Sequence, residues 1–275
     1  MSQLGRYPSG DSMHLYKKYS MRIATISFLL LSWTLSLSAQ TNYTDLSKTL
    51  LENIKAGSDL ESSLKPLQGV APKTLSKELD TEDKKKAFWI NIYNAHILMI
   101  LNKQPALFEQ RPGFFKEKQI HISQEVLSFE DIEHGILRRS KNPLGLGILP
   151  KFFPTKFERQ MRVKKVDPRI HFALNCGAKS CPPVAAYDYR SLEDDLEVMS
   201  LKYLQENTQF DEANHTLLVP RLLSWFSADF GLSKKKKLAF LGQYITLPED
   251  TSKLKLDYLE YDWTLALNNF SDWLD

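Results

Sequence analysis

The stretch from Glu82 to Lys103, EDKKKAFWINIYNAHILMILNK, constrains the fold more than any other part of this chain. Thr81 caps it as a helix and Pro105 stops it. Its middle, AFWINIYNAHILMIL, is apolar nearly all round, and a helix of that kind is buried on most sides. The remaining chain must therefore wrap it. Asn91, Asn94 and His96 interrupt the apolar run. Buried amides need hydrogen-bond partners, so the helix is expected to hold a polar network inside the core.

Shorter elements surround this helix. Asp45 to Lys55 places Leu46, Leu50, Leu51 and Ile54 at helical spacing and ends at Gly57. Lys118 to Ile122 alternates like a strand. Ser128 caps a predicted helix from Phe129 to Arg139, with Asp131 completing a box-like start. Phe129, Ile132, Ile136 and Leu137 form its apolar stripe, and Glu133 lies on the stripe as well. Arg169 to Leu174 reads as a central strand, Ser191 to Gln205 as a helix and His215 to Val219 as a strand. Leu222 to Asp229 and Lys234 to Ile245 read as helices, and Lys255 to Trp263 as a closing strand in which Tyr258, Tyr261 and Trp263 pack. Helices mixed with scattered strands predict an α+β fold, a long buried helix packed on a small mixed sheet.

Charge and the N-terminal stretch bound the function. Residues 1–39 read as a signal peptide with a mis-assigned start, Met13 or Met21 being the initiator. Met21-Arg22 gives a basic start, Ile23 to Leu37 is mostly apolar, and Leu37-Ser38-Ala39 offers small residues for cleavage. A membrane span needs roughly 20 apolar residues, and Ser27, Ser32, Thr34 and Ser36 break this run. The chain's net charge is +3, and Arg6, Lys17, Lys18 and Arg22 against Asp11 account for all of it. Residues 40–275 are thus neutral, which argues against a nucleic-acid or acidic-membrane partner. They fit one globular domain, since single domains run to ~250 residues. The expected partner is a small-molecule, peptide or envelope substrate met in the periplasm or outside the cell, with no stable membrane span in the mature form. The lysine runs 84–86 and 234–237 read as solvated faces.

Asp167 to Pro183, DPRIHFALNCGAKSCPP, concentrates the chemistry. It holds the two cysteines of the chain, Cys176 and Cys181, with His171 upstream, then Asn175 and a turn at Gly177. Three readings are open. Two closely spaced cysteines in an exported chain form a disulfide, which silences both thiols. Alternatively, one thiolate is a nucleophile activated by His171. Asn91, Asn94 or Glu133 then orients the ring, and N–H groups around Gly177 and Ser180 bind the oxyanion. In the third reading His121, His134, His171 and the cysteines ligate a metal. The Cys-x4-Cys spacing is looser than structural zinc sites use, so no metal or cofactor is expected. Glu133, next to His134, needs a partner on its apolar stripe. That partner is either His171 and the asparagines as machinery, or Arg138, Arg139 or Arg169 as a structural clamp.

Five segments in order, AFWINIYNAHIL, LSFEDIEHGILRR, DPRIHFALNCGAKSCPP, VPRLLSWFSADFG and LEYDWTLALN, closely resemble the family called domain of unknown function 547. The resemblance covers about Ala87 to Asn268. It implies an exported version of a domain also found attached to other modules, and it implies no particular reaction. By analogy, a long helix followed by a His-bearing strand resembles a rearranged papain-like core.

The expectation that follows is a Cys/His-dependent hydrolase or transferase acting on an amide, ester or thioester. Cys181 or Cys176 attacks, His171 is the base, and Asn91 or Glu133 orients it, with Asn94, His134, Asn175, Gly177 and Ser180 in support. The alternative is a non-catalytic exported binding or structural module with a Cys176–Cys181 disulfide and a structural His/Asn/Glu network.

Overall fold

A buried helix forms the axis of this protein, and local signals fix where it begins and ends. The computed structural model describes residues 41–142 and 147–274; the signal-peptide reading of residues 1–39 lies outside them. Helix α1 (Tyr43–Ala56) starts at Asn42, whose side chain accepts from the Asp45 N–H, and ends on left-handed Gly57. Helices α2 (Glu61–Gly69) and α3 (Pro72–Glu78) lead into α4 (Glu82–Lys103). Thr81 caps α4 by accepting from the Lys84 N–H, and Glu82 and Asp83 occupy the positive end of its dipole. Phe88 through Leu98 of α4 are all buried.

After α4 come a 3₁₀ turn (Pro105–Gln110), helix α5 (Arg111–Lys116) and a hairpin of β1 (Ile120–Ile122) with β2 (Glu125–Leu127). A π-helix (Asp131–Leu137), helix α6 (Lys156–Met161) and a second 3₁₀ turn (Pro168–Phe172) follow. The chain closes with α7 (Leu192–Glu206), β3 (Gln209–Asp211), β4 (Thr216–Val219), α8 (Leu222–Trp225), α9 (Lys234–Leu241) and β5 (Lys255–Tyr258). Strand β4 is central in the second sheet. It runs antiparallel to β3 and parallel to β5, with Leu217 opposite Phe210 and Leu256. The fold is α+β, and the described residues from Asn42 on form one compact unit. Helix α1 and the π-helix pack along α4. The β3–β5 sheet builds its own apolar cluster with Phe172, Leu222, Leu223, Phe230 and α9.

Three local readings change. Arg169 to Leu174 is not a strand. Asp167 accepts from the Arg169 N–H and Pro168 starts a helical turn, so 168–172 winds as 3₁₀. A short buried apolar run does not by itself separate strand from helix. The helix begun at Ser128 keeps its predicted capping box, Asp131 Oδ2 accepting from the Ser128 N–H at 2.8 Å and the Asp131 N–H reaching Ser128 Oγ at 3.1 Å. It then widens: the Arg138 N–H bonds the Glu133 carbonyl and the Ser140 N–H the Gly135 carbonyl, both at 2.8 Å and five residues back. Nor are the lysine runs wholly solvated. Lys86 is buried between Asp167 (3.2 Å) and Glu193 (2.7 Å), and buried Lys237 donates to the Tyr258 hydroxyl at 2.8 Å.

The asparagines of α4 hold backbone. Asn91 donates to the Tyr187 carbonyl (2.8 Å) and accepts from the Tyr187 N–H (2.9 Å). Asn94 donates to the Ala173 carbonyl and accepts from the Asn175 N–H, both at 2.9 Å. Both amides thereby bind the loop that carries the cysteines to the central helix. From the other side the C-terminal segment laces on. The Ala266 N–H bonds the Gly177 carbonyl, and the Lys179 N–H bonds the Thr264 carbonyl, each at 2.8 Å. Gly177 has φ +90°, and a Cβ there would lie 2.9 Å from Leu101 Cδ1, so this close approach requires glycine.

Candidate functional site

A cavity of about 470 Å³ opens where α4, the π-helix, the cysteine loop, α8 and the C-terminal segment meet. Its walls are largely aromatic: Phe115, Phe129, Trp225, Phe226, Tyr261 and Trp263. Trp225, Tyr261 and Trp263 pack together with ring centroids 4.6–5.6 Å apart. The polar groups are Tyr93 from α4, Glu130, Glu133, His134 and Arg138 from the widened helix, and His171 from the 3₁₀ turn.

Glu133 is half-buried in the cavity wall, and its pKa is pushed up to about 7. Burial is the cause; the Arg138 charge opposes it, and Glu130 and Asp229 add to it. Its one hydrogen bond is a long one from the Tyr93 hydroxyl, 3.5 Å. Deeper in, Asp229 gathers two donors on one oxygen: Arg138 Nε at 2.6 Å and His171 Nε2 at 2.9 Å. The Arg138 and Asp229 side chains are each 1% exposed. Burial works against the Asp229 carboxylate, and the bonds from His171 and Arg138 overcome it, holding its pKa below the usual range. Burial drives His171 down to about 4, although Asp229 pulls the other way. The His171 ring stacks on Phe226 at 3.8 Å and 14°.

Proton positions follow from this network. Arginine only donates, so His134 Nδ1, 2.6 Å from Arg138 Nη1, accepts. Burial and the Arg138 charge lower His134 to about 3, and its proton therefore sits on Nε2, which has no partner among the described residues. His171 donates from Nε2 to Asp229, leaving a bare Nδ1.

One wall is sulfur. Cys176 and Cys181 are joined in a disulfide. The Cys176 N–H donates to Cys181 Sγ at 2.9 Å, and the Tyr261 hydroxyl lies 3.1 and 3.3 Å from the two sulfurs.

Residues 76–204 match a family model described as a protein of unknown function, DUF547. The chain carries a DUF547 domain. No curated protein and no solved structure matches the chain. The DUF547 match contains Tyr93, Glu130, Glu133, His134, Arg138, His171 and both cysteines, while Trp225, Phe226, Asp229, Tyr261 and Trp263 come from beyond it. The site of this DUF547 chain is thus completed by its C-terminal third.

The expected site residues divide into two groups. Glu133, His134, His171, Cys176 and Cys181 all line the cavity. Asn91, Asn94, Asn175, Gly177 and Ser180 do not; they build the loop behind it. Asn175 accepts from the Gly177 N–H and donates to the Pro182 carbonyl, both at 2.7 Å. The Gly177 and Ser180 N–H groups, expected to bind an oxyanion, are spent on Asn175 and on the Asp262 carbonyl. His171 is oriented by Asp229, not by Asn91 or Glu133, and its hydrogen bond goes to a carboxylate rather than to sulfur. Arg138 clamps Asp229, not Glu133. Because His171 lies in a 3₁₀ turn, the His-bearing strand of the papain-like analogy is missing at this position. Among the described residues no three His, Cys, Asp or Glu side chains converge to hold a metal, and no helix is long and apolar enough to cross a membrane. Asp229 went unread in the sequence. Its signal was a lone carboxylate inside the aromatic run WFSADF.

Proposed function

We propose that this protein hydrolyses a small amide, ester or thioester by acid–base catalysis at Glu133. The supporting observation is a carboxyl lining an aromatic cavity with its pKa raised to about 7. Such a group both takes and gives protons at neutral pH. A water beside Glu133 gives its proton to the carboxylate as its oxygen bonds the carbonyl carbon. That proton passes to the departing nitrogen, oxygen or sulfur as the old bond breaks, leaving a carboxylic acid and the protonated leaving group. The free His134 Nε2–H is the donor for the developing oxyanion. The sulfurs form wall, since a disulfide has no thiolate to attack with. Export accords with an oxidised cysteine pair.

Hydrolysis of p-nitrophenyl acetate tests this. Turnover rises with pH through about 7 in the natural protein. Glu133→Gln lowers kcat/KM by about 10²–10⁴-fold, while the Cys176→Ser/Cys181→Ser pair keeps most of it. The reverse pattern, with the cysteine pair dead and Glu133→Gln active, returns the chemistry to a thiolate with His171 as base. A second reading, a non-catalytic exported binding module, is favoured by the locked state of the disulfide and of the Arg138–Asp229–His171 cluster. Absence of turnover with any activated ester, amide or thioester supports it.

A further inference from the structure

We infer that the cavity takes an organic cation, an ammonium, amidinium or guanidinium carried on an aromatic or aliphatic body. This deepens the reading of the cavity as the site and needs only that the cavity is occupied, not that Glu133 turns anything over.

The argument starts from the charges that face the cavity. Three lining groups carry formal charge: Glu130, Glu133 and Arg138. Arg138 has only its Nη2 left to offer a ligand. Its Nε is bonded to Asp229 and its Nη1 to His134. Its Nη2 is buried without a partner, pressed against Gly147 so closely that a Cβ there would lie 2.0 Å from it. Asp229 also cancels its charge at 2.6 Å.

The two carboxyls are in the opposite condition. Glu130 makes no hydrogen bond or ion pair in the described structure, and Glu133 has the long contact to Tyr93 alone. Lys151, which acts on Glu130 from a distance, is bonded to Glu158 at 2.8 Å, and Lys116 makes no ion pair with it. Arg111 stacks on Trp263 at 4.9 Å but is not a wall of the cavity. The cavity therefore holds two carboxyls without an ion pair, while its one lining cation is already balanced by Asp229.

The walls select for the same sign. Aromatic faces attract cations through their quadrupole, most strongly where water is excluded, and seven phenylalanine, tyrosine and tryptophan rings line this space. An anionic ligand would meet two carboxyls, against neutral donors such as His134 Nε2–H. A neutral ligand would leave Glu133 unpaired. A flat or branched cation supplies the charge this cavity lacks and stacks on Trp225 or Trp263. A volume of about 470 Å³ accommodates a one-ring ligand.

Benzamidine, benzamide and benzoate have nearly the same shape and carry charges of plus one, zero and minus one. Titrating each into the full-length chain at neutral pH, read by tryptophan fluorescence and indole N–H NMR shifts, tests the inference. Benzamidine is expected to bind at least about tenfold more tightly than benzamide, with benzoate weakest. Glu133→Gln, and separately the shallower Glu130→Gln, reduce that preference, so one misfolded variant does not remove the test. Benzamidine affinity also falls as pH drops below about 7, as Glu133 takes up a proton, and falls further as Glu130, whose pKa burial also raises, does the same. Around it, His134 and His171 stay neutral, Asp229 stays anionic and the Tyr93 and Tyr261 phenols stay protonated. Equal binding of all three probes, preference for benzoate, or no response to benzamidine overturns the inference. If benzamidine binds while esters are untouched, the cation site stands and the hydrolase reading fails. Glu133-dependent hydrolysis that benzamidine does not inhibit gives the converse.

Discussion

Desolvation sets Glu133 against three histidines, His96, His134 and His171. Folding raises the Glu133 pKa from 4.5 to about 7, so ionising it between those values costs stability. Folding lowers His96 to about 4, His134 to about 3 and His171 to about 4, all from 6.5 and all chiefly through burial. As pH falls through 6.5, the unfolded chain takes up three protons that the folded one refuses, and stability is lost. The three histidines outweigh Glu133 and the smaller rises at Glu78, Glu130 and Asp195, so between about pH 4.5 and 6.5 stability rises with pH. The slope is at most about 2–3 kcal/mol per pH unit. Urea denaturation at pH 5 and pH 7 measures it; equal midpoints would mean the rings are not neutral in the fold. Glu133→Gln removes one of the opposing effects and is expected to stabilise the protein at pH 8 by about 1–3 kcal/mol, even as it disables the site. A destabilised Glu133→Gln would mark the carboxyl as a structural partner instead. A group that weakens the fold where it stands is better explained by function than by architecture.

Two elements place these residues. In the π-helix each N–H reaches five residues back, so Glu133 and Arg138 are stacked on one side of it. An α-helix would splay them, and the helical reading of 129–139 put Glu133 on the apolar stripe. Helix α4 acts differently, through amides. Asn94→Ala leaves the Ala173 carbonyl and the Asn175 N–H unpaired in a dry interior, each costing about 1–3 kcal/mol. The expected loss is about 2–5 kcal/mol in urea midpoint times slope. A loss under about 1 kcal/mol would show that something other than the amide holds the cysteine loop on the helix.

At the scale of the whole molecule, the cavity exists because distant segments are tied together. The disulfide spans a separation of five residues. Closing so short a loop restricts the unfolded chain modestly, by about 2 kcal/mol in the chain-entropy estimate. Reduction should therefore lower Tm by roughly 4–8 °C without unfolding the protein at room temperature. Thermal melts with and without a phosphine reductant check this, alongside a thiol titration that finds none before reduction and two after. Collapse of the fold on reduction would show the loop carries far more than its own closure. The C-terminal segment is the second tie. Its ladder to Gly177, Lys179 and Val184 delivers Tyr261 and Trp263 to the site.

The sequence by itself determined the central helix, its caps, the buried amides and the α+β class. These depend on periodicity, capping and the need to pair buried polar groups, all local or one-dimensional properties. It also set out the disulfide as one of three fates for the cysteines. Only the tertiary structure decided which partner each polar group takes. Asp229 lies 58 residues from His171 and 91 from Arg138, and nothing in residue spacing joins them. Tertiary packing likewise decided that the amides of α4 serve backbone, that residues 168–172 coil, and that residues 131–137 widen. Hydrogen bonding is satisfied by whichever donor burial brings near, so a chain's polar residues can be counted from its letters, but their pairing is settled by the folded whole.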